Sequence, residues 1–110
     1  MKRILVLLMA FLMCGCAKSA VSGENADTAE IFMVNVGKAD AIIVRVNSDH
    51  YLIDTATEEM WPRVYAALKD MDIAHLKGVF ITHTDKDHVG GLEMLAQSDI
   101  QIDAFYASKY

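Results

Sequence analysis

Four side chains of the types that bind metal ions fall within six residues of this chain: His83, Asp85, Asp87 and His88. Imidazole and carboxylate groups donate lone pairs to a divalent ion without help from a thiolate. Two aspartates this close together in a partly buried loop would repel each other and resist desolvation, at a cost on the order of several kcal/mol, unless a cation lay between them. The stretch therefore predicts a metal site, and the chain has to fold so that these side chains meet.

The spacing of the four residues indicates where such a site can lie. On a helix, side chains two residues apart face away from each other, and on a strand residue 88 would leave the face shared by the other three. A loop that leaves the end of a strand suits all four. Residues 78–81 read as a short buried strand and residues 91–97 as a helix. Gly90 and Gly91 would allow a sharp turn and a close approach of the backbone to the ion.

This stretch resembles the signature of the metallo-β-lactamase superfamily, which is Thr-His-x-His-x-Asp-His followed by x-Gly-Gly. The matching positions are Thr82, His83, Asp87, His88, Gly90 and Gly91. Asp85 stands where most of the superfamily has its second histidine. The resulting form, His-x-Asp-x-Asp-His, is similar to the branch related to the competence protein ComEC/Rec2.

Two further stretches are similar to that ComEC/Rec2 branch. Residues 34–44 follow its opening Asp/Asn-Val-Gly-Gln-Gly-Asp, and residues 51–55 follow its Leu-Ile-Asp-Thr-Gly. Lys38, Ala39 and Ala56 replace the usual Gln, Gly and Gly, so these turns contain fewer glycines than the pattern. The resemblance implies an α/β fold, namely the N-terminal half of a metallo-β-lactamase-type αββα sandwich, over residues 31–110.

The resemblance also implies a role for each residue of the metal site. His83 and Asp85 would hold one metal, and Asp87 with His88 a second, in a site that activates water for hydrolysis. Asp87 would in addition act in catalysis, by orienting that water or passing a proton. Asp85 adds an oxygen ligand in place of a nitrogen, so the divalent metal of this two-metal site is expected to be Zn²⁺ or Mn²⁺.

Asp54 would support the loop through hydrogen bonds without binding metal, and a cap for residues 55–58 explains this aspartate equally well. In the superfamily a further histidine, a bridging aspartate and a last histidine come from later loops, and no residue after Tyr110 supplies them here. We therefore expect a truncated coding sequence or a fragment that is inactive by itself. Half of a sandwich would also leave one sheet face uncovered.

The substrate class follows from the branch alone. Relatives of the ComEC/Rec2 type imply phosphodiester hydrolysis, on small molecules or on nucleic acid such as DNA, whereas the superfamily at large also hydrolyses esters, thioesters and lactams. A fold does not choose among these reactions. The alternative is a non-catalytic, lipid-tethered module that keeps the fold and binds a protein partner through its uncovered sheet.

Residues 1–16 predict an export signal that ends in a lipid anchor. Two basic residues precede ten apolar ones, which are too few to span a bilayer and typical of a secretory signal. Residues 12–16 resemble a bacterial lipoprotein box with Cys16 as the lipidated residue, because the bulky Met13 makes Cys14 a poorer candidate. An ordinary cleaved signal and an uncleaved anchor are the alternatives. Lipidation would hold the protein at the extracytoplasmic face of the cell membrane.

The composition beyond Cys16 restricts the chemistry of the domain. Both cysteines lie within residues 1–16, so neither a disulfide nor a thiolate ligand is available to the fold. Eight basic and fifteen acidic residues follow Cys16, a net charge of about −7. This charge argues against tight binding of a phosphate backbone by the protein's own side chains, although bound divalent ions would offset part of it. The small, polar residues 17–30 predict a flexible tether.

The remaining apolar patterns predict four more strands and one more helix: strands over residues 31–36, 41–46, 51–53 and 102–107, and a helix over residues 59–71. The first three strands are joined by short turns, so an antiparallel meander is expected. Trp61 and Tyr65 lie on the apolar side of the helix and are predicted to be core residues, not substrate contacts. Thr57 or Glu58 would cap this helix, and His50 is predicted to lie in an exposed turn.

Overall fold

A computed structural model describes residues 27–109 of the chain. The predicted export signal over residues 1–16, its lipidated Cys16 and most of the predicted tether over residues 17–30 lie outside the described residues. Within residues 27–109, no helix is both long enough and apolar enough to cross a membrane.

The strands in this part of the chain are β1 (Ala29–Met33), β2 (Ile42–Val46), β3 (Asp49–Ile53), β4 (His75–Leu76), β5 (Gly78–Ile81), β6 (Gln101–Ile102) and β7 (Phe105–Ala107). The helices are α1 (Trp61–Asp70), α2 (Lys86–Val89) and α3 (Leu92–Gln97). One sheet has the strand order β1-β2-β3-β5-β7, and β4 pairs with β6 in a second, small sheet.

The large sheet is mixed. Strands β1, β2 and β3 are antiparallel neighbours, which confirms the predicted meander. Strand β5 then runs parallel to both β3 and β7. Because parallel neighbours need a crossover, α1 and the segments around it connect β3 to β5. The predicted α/β class is confirmed, and the architecture is consistent with part of a metallo-β-lactamase fold.

The last predicted strand, over residues 102–107, is divided into two short strands that lie in different sheets. The N–H of Asp103 donates to the carbonyl of Leu76 at 3.0 Å, and the carbonyl of Ala104 accepts from the N–H of Val79 at 3.0 Å. The backbone therefore crosses from the small sheet to the large one between residues 103 and 104. A continuous strand was the wrong prediction because the apolar pattern does not show this change of partner.

Two boundaries differ near the start of the described residues. Strand β1 begins at Ala29, inside the predicted tether, because its pairing with β2 extends to Val46. His50 lies in β3 instead of the predicted exposed turn, and its Cα pairs with that of Arg45. The turn between β2 and β3 is short, with Asn47 at φ 55°, a left-handed conformation that asparagine tolerates better than most residues.

Helix α1 follows the predicted apolar spacing. Trp61, Val64 and Leu68 are buried on one side of it, as predicted for the core face. The residue at the N-cap is Met60, whose N–H donates to the side-chain oxygen of Thr57 at 3.1 Å. Thr57 thus organises the turn that leads into the helix, which ends at Asp70. Burial of this stripe stabilises the helix far more than its intrinsic propensity does.

The hydrophobic core lies on one face of the large sheet. Ile43, Leu52 and Val79 are register neighbours across β2, β3 and β5, and all three are fully buried. Leu68 of α1 and Leu95 of α3 belong to the same buried cluster. Burial of each of these side chains contributes about 2 kcal/mol before entropy is counted. The core therefore fixes the carboxyl ends of β3 and β5, where the candidate site begins.

The opposite face of the large sheet is uncovered within residues 27–109. One row of register neighbours runs across it, which we call the open face: Met33, Ile42, Ile53, Phe80 and Tyr106. Met33 is 76% exposed and Tyr106 52% exposed. An apolar row in contact with water is what half of a sandwich would present.

Candidate metal centre

The predicted metal-binding stretch begins where β5 ends, beside the end of β3. Residues 82–85 form a loop, as predicted, but Asp87 and His88 lie in the single helical turn α2, which was not predicted. The carbonyl of Asp85 accepts hydrogen bonds from the N–H groups of His88 and Val89 at 2.9 and 3.0 Å, and these bonds close the turn. The spacing shows that one helix cannot bring all four ligands to one point. Adjacent residues on a single helical turn can still face a common point.

The glycine pair has a different role from the predicted sharp turn. Gly90 and Gly91 have φ of −61° and −87°, conformations that any residue adopts. A Cβ atom at position 90 would lie 2.5 Å from the carbonyl oxygen of Lys86, and one at position 91 would lie 2.5 Å from that of Thr55. Glycine is required because the backbone after α2 packs directly against the segment that follows β3.

His88 is the fixed point of the site. It is 9% exposed, and its Nδ1 lies 2.8 Å from Oδ2 of Asp54. Its carbonyl accepts a hydrogen bond from the N–H of Thr55 at 2.6 Å, so both its side chain and its backbone are tied to the end of β3. Because a carboxylate only accepts, the proton lies on Nδ1 and the lone pair of the neutral ring lies on Nε2.

Carboxylates surround this imidazole and change its acidity. The hydrogen bond that the ring donates to Asp54 raises the pKa of His88 above the ordinary histidine value, while burial lowers it. The negative charges of Asp54, Asp87 and Asp40 raise this pKa as well. The ring therefore lies in a strongly negative environment that favours any cation at Nε2, whether a proton or a metal ion.

Asp54 connects the end of β3 to the loop. It adopts φ 60°, and its side chain is 4% exposed. Its carboxylate accepts hydrogen bonds from the N–H of Thr82 at 2.8 Å, from the Thr82 hydroxyl at 2.6 Å and from His88. These hydrogen bonds join the end of β3 to the loop and to His88. Within residues 27–109 the side chain makes no hydrogen bond to residues 55–58, where the alternative cap was expected.

The structure brings the four predicted ligands together in two pairs. Oδ2 of Asp87 lies 3.3 Å from Nε2 of His88, and Oδ2 of Asp85 lies 3.5 Å from Nδ1 of His83. The two imidazole rings have centroids 3.6 Å apart, so the pairs are adjacent. The assignment of these pairs to two metal positions stays a prediction.

Asp40 also reaches this site, although no role was predicted for it. Its Oδ2 lies 3.4 Å from Nε2 of His88, and its N–H donates to the carbonyl of Asp87 at 3.1 Å. The signal was present in the sequence, since Asp40 ends the Asn-Val-Gly-Lys-Ala-Asp stretch that resembles the branch opening. Sequence spacing alone could not place it beside α2, because the contact depends on how β2 packs.

The side chains at this site are of types that bind divalent ions. They offer imidazole nitrogens and carboxylate oxygens, which Zn²⁺ and Mn²⁺ both accept. As the side chains stand, no group of three or more His, Cys, Asp and Glu residues in the described part of the chain forms a ready metal site. The residues around His83 and His88 therefore supply suitable donor types, and a coordination shell would require movement of the exposed carboxylates.

A family profile described as the metallo-beta-lactamase superfamily matches residues 34–100. This match covers more than half of the chain and includes Asp40, Asp54 and the four predicted ligands, so the chain belongs to this superfamily. Members of the superfamily typically bind divalent metals such as Zn²⁺. A search of curated proteins found no match to the chain.

Proposed function

We propose that the chain is a metal-dependent hydrolase domain whose centre is formed by His83, Asp85, Asp87 and His88. The observation that carries this proposal is the orientation of His88. Its Nδ1 is bonded to the buried Asp54, which leaves Nε2 directed toward the carboxylate of Asp87. In metal enzymes, a carboxylate that accepts a hydrogen bond from the other ring nitrogen fixes the imidazole and increases its strength as a ligand.

The four residues would act as two ligand pairs, and a bound divalent ion would activate water for attack on the substrate. Asp87 is half-exposed, so its second oxygen is free to orient that water or to accept its proton. Two protein ligands per ion are fewer than the three that hold catalytic zinc. A form of the protein with additional ligands is therefore expected to bind two ions and turn over, and the chain by itself is expected to be nearly inactive.

A phosphodiester, in a small molecule or in nucleic acid, is the proposed substrate, as in the ComEC/Rec2 branch. Support comes from the position of residues 34–40, which resemble that branch and end at Asp40 beside the centre. Asp85 also supports a likeness to that branch. An oxygen ligand in place of a nitrogen favours Mn²⁺ or a similar ion over a purely nitrogen-bound Zn²⁺.

Export and lipid anchoring are proposed from residues 1–16, with Cys16 as the lipidated residue and a cell membrane as the partner surface. The test is incorporation of radiolabelled palmitate by the full chain in bacterial cells. Label and membrane fractionation should be lost in Cys16→Ser and kept in Cys14→Ser. Equal labelling of the wild type and of Cys16→Ser would contradict this assignment.

A non-catalytic, lipid-tethered binding module is the second candidate, and the open face favours it. Phe80 and Tyr106 are stacked there with ring centroids 4.7 Å apart, and both are more than a third exposed. Exposed aromatic side chains on an apolar surface are typical of protein interfaces.

The two candidates differ in a metal-dependent assay with bis-nitrophenyl phosphate. The hydrolase predicts that a form of the protein with the additional ligands turns over with Mn²⁺ or Zn²⁺ and that Asp87→Ala or His88→Ala abolishes turnover. Asp70→Ala, which changes an exposed aspartate at the end of α1, is the matched control and should keep full activity. Bound metal without turnover in that form would favour the binding module.

A further inference from the structure

Asp40 lies at the edge of the candidate centre without an assigned role. It follows the turn after β1, and its side chain is 51% exposed. The proposed function gives each metal position two ligands, namely His83 with Asp85 and Asp87 with His88. The second of these positions has a third acidic group beside it.

We infer that Asp40 is a third protein ligand of the metal position formed by Asp87 and His88, an inference that rests on the proposed function. The position would then offer two carboxylate oxygens and one imidazole nitrogen. Three protein ligands with room for water is the number found in catalytic zinc sites. An oxygen-rich set of this kind favours Mn²⁺ and other oxygen-preferring divalent ions.

The distances around Nε2 of His88 are longer than those of a hydrogen-bonded ion pair. Oδ2 of Asp87 lies at 3.3 Å and Oδ2 of Asp40 at 3.4 Å. A charge-assisted hydrogen bond from a protonated imidazole would be shorter, about 2.7–2.9 Å. Two ligand atoms that each lie about 2.0–2.2 Å from a shared ion are separated by roughly 3.0–3.5 Å at ordinary coordination angles. Both distances from Nε2 fall in this range, so each carboxylate oxygen is placed where it could share an ion with His88.

The proton on Nδ1 supports the same conclusion. Since Nδ1 donates to Asp54, Nε2 of the neutral ring carries a lone pair, and the two nearby carboxylate oxygens are acceptors too. A cation at Nε2, whether a proton or a metal ion, would offset the charge of these carboxylates. Within residues 27–109, the ion pairs of Asp40, Asp54 and Asp87 are all made with His88, and none is made with lysine or arginine.

The backbone holds Asp40 at this place. Its N–H donates to the carbonyl of Asp87 at 3.1 Å, and its carbonyl accepts from the N–H of Ala56 at 2.8 Å. The backbone of Asp40 is thus bonded on one side to α2 and on the other to the segment after β3, the same segment that holds His88 through Thr55. The position of Asp40 beside His88 is therefore set by main-chain bonds that do not depend on its carboxylate.

The three side chains do not yet form a complete metal site as they stand. His88 is buried and fixed, whereas the side chains of Asp40 and Asp87 are 51% and 45% exposed. Rotation of two half-exposed carboxylates toward a fixed imidazole costs little, because neither is packed in the core. Closure of the site around an ion therefore requires only side-chain movement.

The test is a Mn²⁺ titration of the purified full chain, in which electron paramagnetic resonance measures free Mn²⁺. The wild type, Asp40→Ala, Asp40→Asn and the matched control Asp70→Ala are compared, and circular dichroism checks that each is folded. We expect one tight Mn²⁺ ion in the wild type and in Asp70→Ala. The dissociation constant should rise at least tenfold in Asp40→Ala and by a smaller factor in Asp40→Asn.

A wild-type dissociation constant that Asp40→Ala leaves unchanged within twofold, while His88→Ala abolishes binding, would overturn the role of Asp40 and leave the proposed function standing. A wild type that binds no Mn²⁺ and no Zn²⁺ would overturn both. Should Asp40→Ala be unfolded, carboxyl-carbon NMR of the wild type decides instead. Zn²⁺ should then shift the Asp40 signal and leave that of Asp70 in place, and an unmoved Asp40 signal would overturn the inference.

Discussion

The two ligand pairs of the candidate centre are held in different ways. His88 is 9% exposed, and the buried Asp54 and Thr55 fix its ring and its backbone. The side chains of His83 and Asp85 are 45% and 79% exposed, and their mutual contact is local to the loop. A ligand that is anchored to a segment 34 residues away keeps its geometry in the absence of an ion, whereas a local pair has to be ordered by the ion itself.

This difference implies an order of binding. The imidazole of His88 is fixed before an ion binds, so only the half-exposed carboxylates at this position remain to be ordered. The position at His83 requires two exposed side chains to be fixed, at a cost of about 1 kcal/mol or more for each. We therefore expect the first ion to bind at His88, and the following changes test whether the anchoring is the cause.

The largest effect is expected from removal of the anchor. Asp54→Ala leaves the buried ring of His88 without its acceptor and removes the acceptor of the Thr82 hydroxyl, and alanine is also strained at φ 60°. The free energy of unfolding in urea should fall by about 3 kcal/mol. Asp54→Asn keeps the shape and tolerates the backbone conformation, so its loss should be smaller. A loss below about 1 kcal/mol for the alanine variant would show that the anchor is not structural.

A side chain at position 91 should separate α2 from its support. Gly91→Ala places a Cβ atom 2.5 Å from the carbonyl of Thr55 and 2.6 Å from the ring of Trp61. Neither group can yield easily, so the free energy of unfolding should fall by about 2 kcal/mol. Gly37→Ala is the comparison, because position 37 has open space and only its φ of 70° opposes alanine, at about 1 kcal/mol. Equal thermal shifts for the two variants would argue against close packing at Gly91.

The metal affinities of histidine variants compare the two positions directly. Isothermal titration with Zn²⁺ should show a dissociation constant at least tenfold higher, about 1.4 kcal/mol, for His88→Ala. His83→Ala should change this first constant only a few-fold, and His75→Ala, at an exposed position away from the centre, should not change it. A larger effect of His83→Ala than of His88→Ala would reverse the proposed order of binding.

The smallest effect concerns two neighbouring threonines. The hydroxyl of Thr82 donates to Asp54 at 2.6 Å, so Thr82→Val should lower the free energy of unfolding by about 1 kcal/mol. Thr84 is exposed in the same loop, and Thr84→Val should stay within about 0.5 kcal/mol of the wild type. Chemical denaturation of both variants measures the difference, and indistinguishable midpoints would show that the anchor does not depend on this hydroxyl.

Local patterns predicted the parts of this fold that local chemistry decides. Strand β5 has the predicted bounds of residues 78–81, because an uninterrupted apolar run ends at the polar loop. The buried side of α1 follows from the spacing of Trp61, Val64 and Leu68. The four candidate metal ligands could be predicted for the same reason, because their side-chain types and spacing restrict the conformations that the loop can adopt.

The missed features depend on contacts between distant segments. Helix α2 was missed because a single turn, closed by bonds to the carbonyl of Asp85, has no periodicity to detect. Asp40 was missed because its contact with His88 arises only when the turn after β1 packs on α2. The need for Gly91 was recognised, but its cause, the nearness of Thr55, belongs to tertiary packing.

The way β1 is attached affects the dynamics of the centre. All five of its residues are exposed, and β2 is its one neighbour in the large sheet, so β1 is held mainly by main-chain pairing. Edge segments with few buried contacts open at low free energy, and their amide hydrogens exchange with solvent early. Asp40 follows the turn after β1, so detachment of this edge strand would move its carboxylate away from His88. An ion bound at His88 should therefore slow amide hydrogen exchange along the whole of β1.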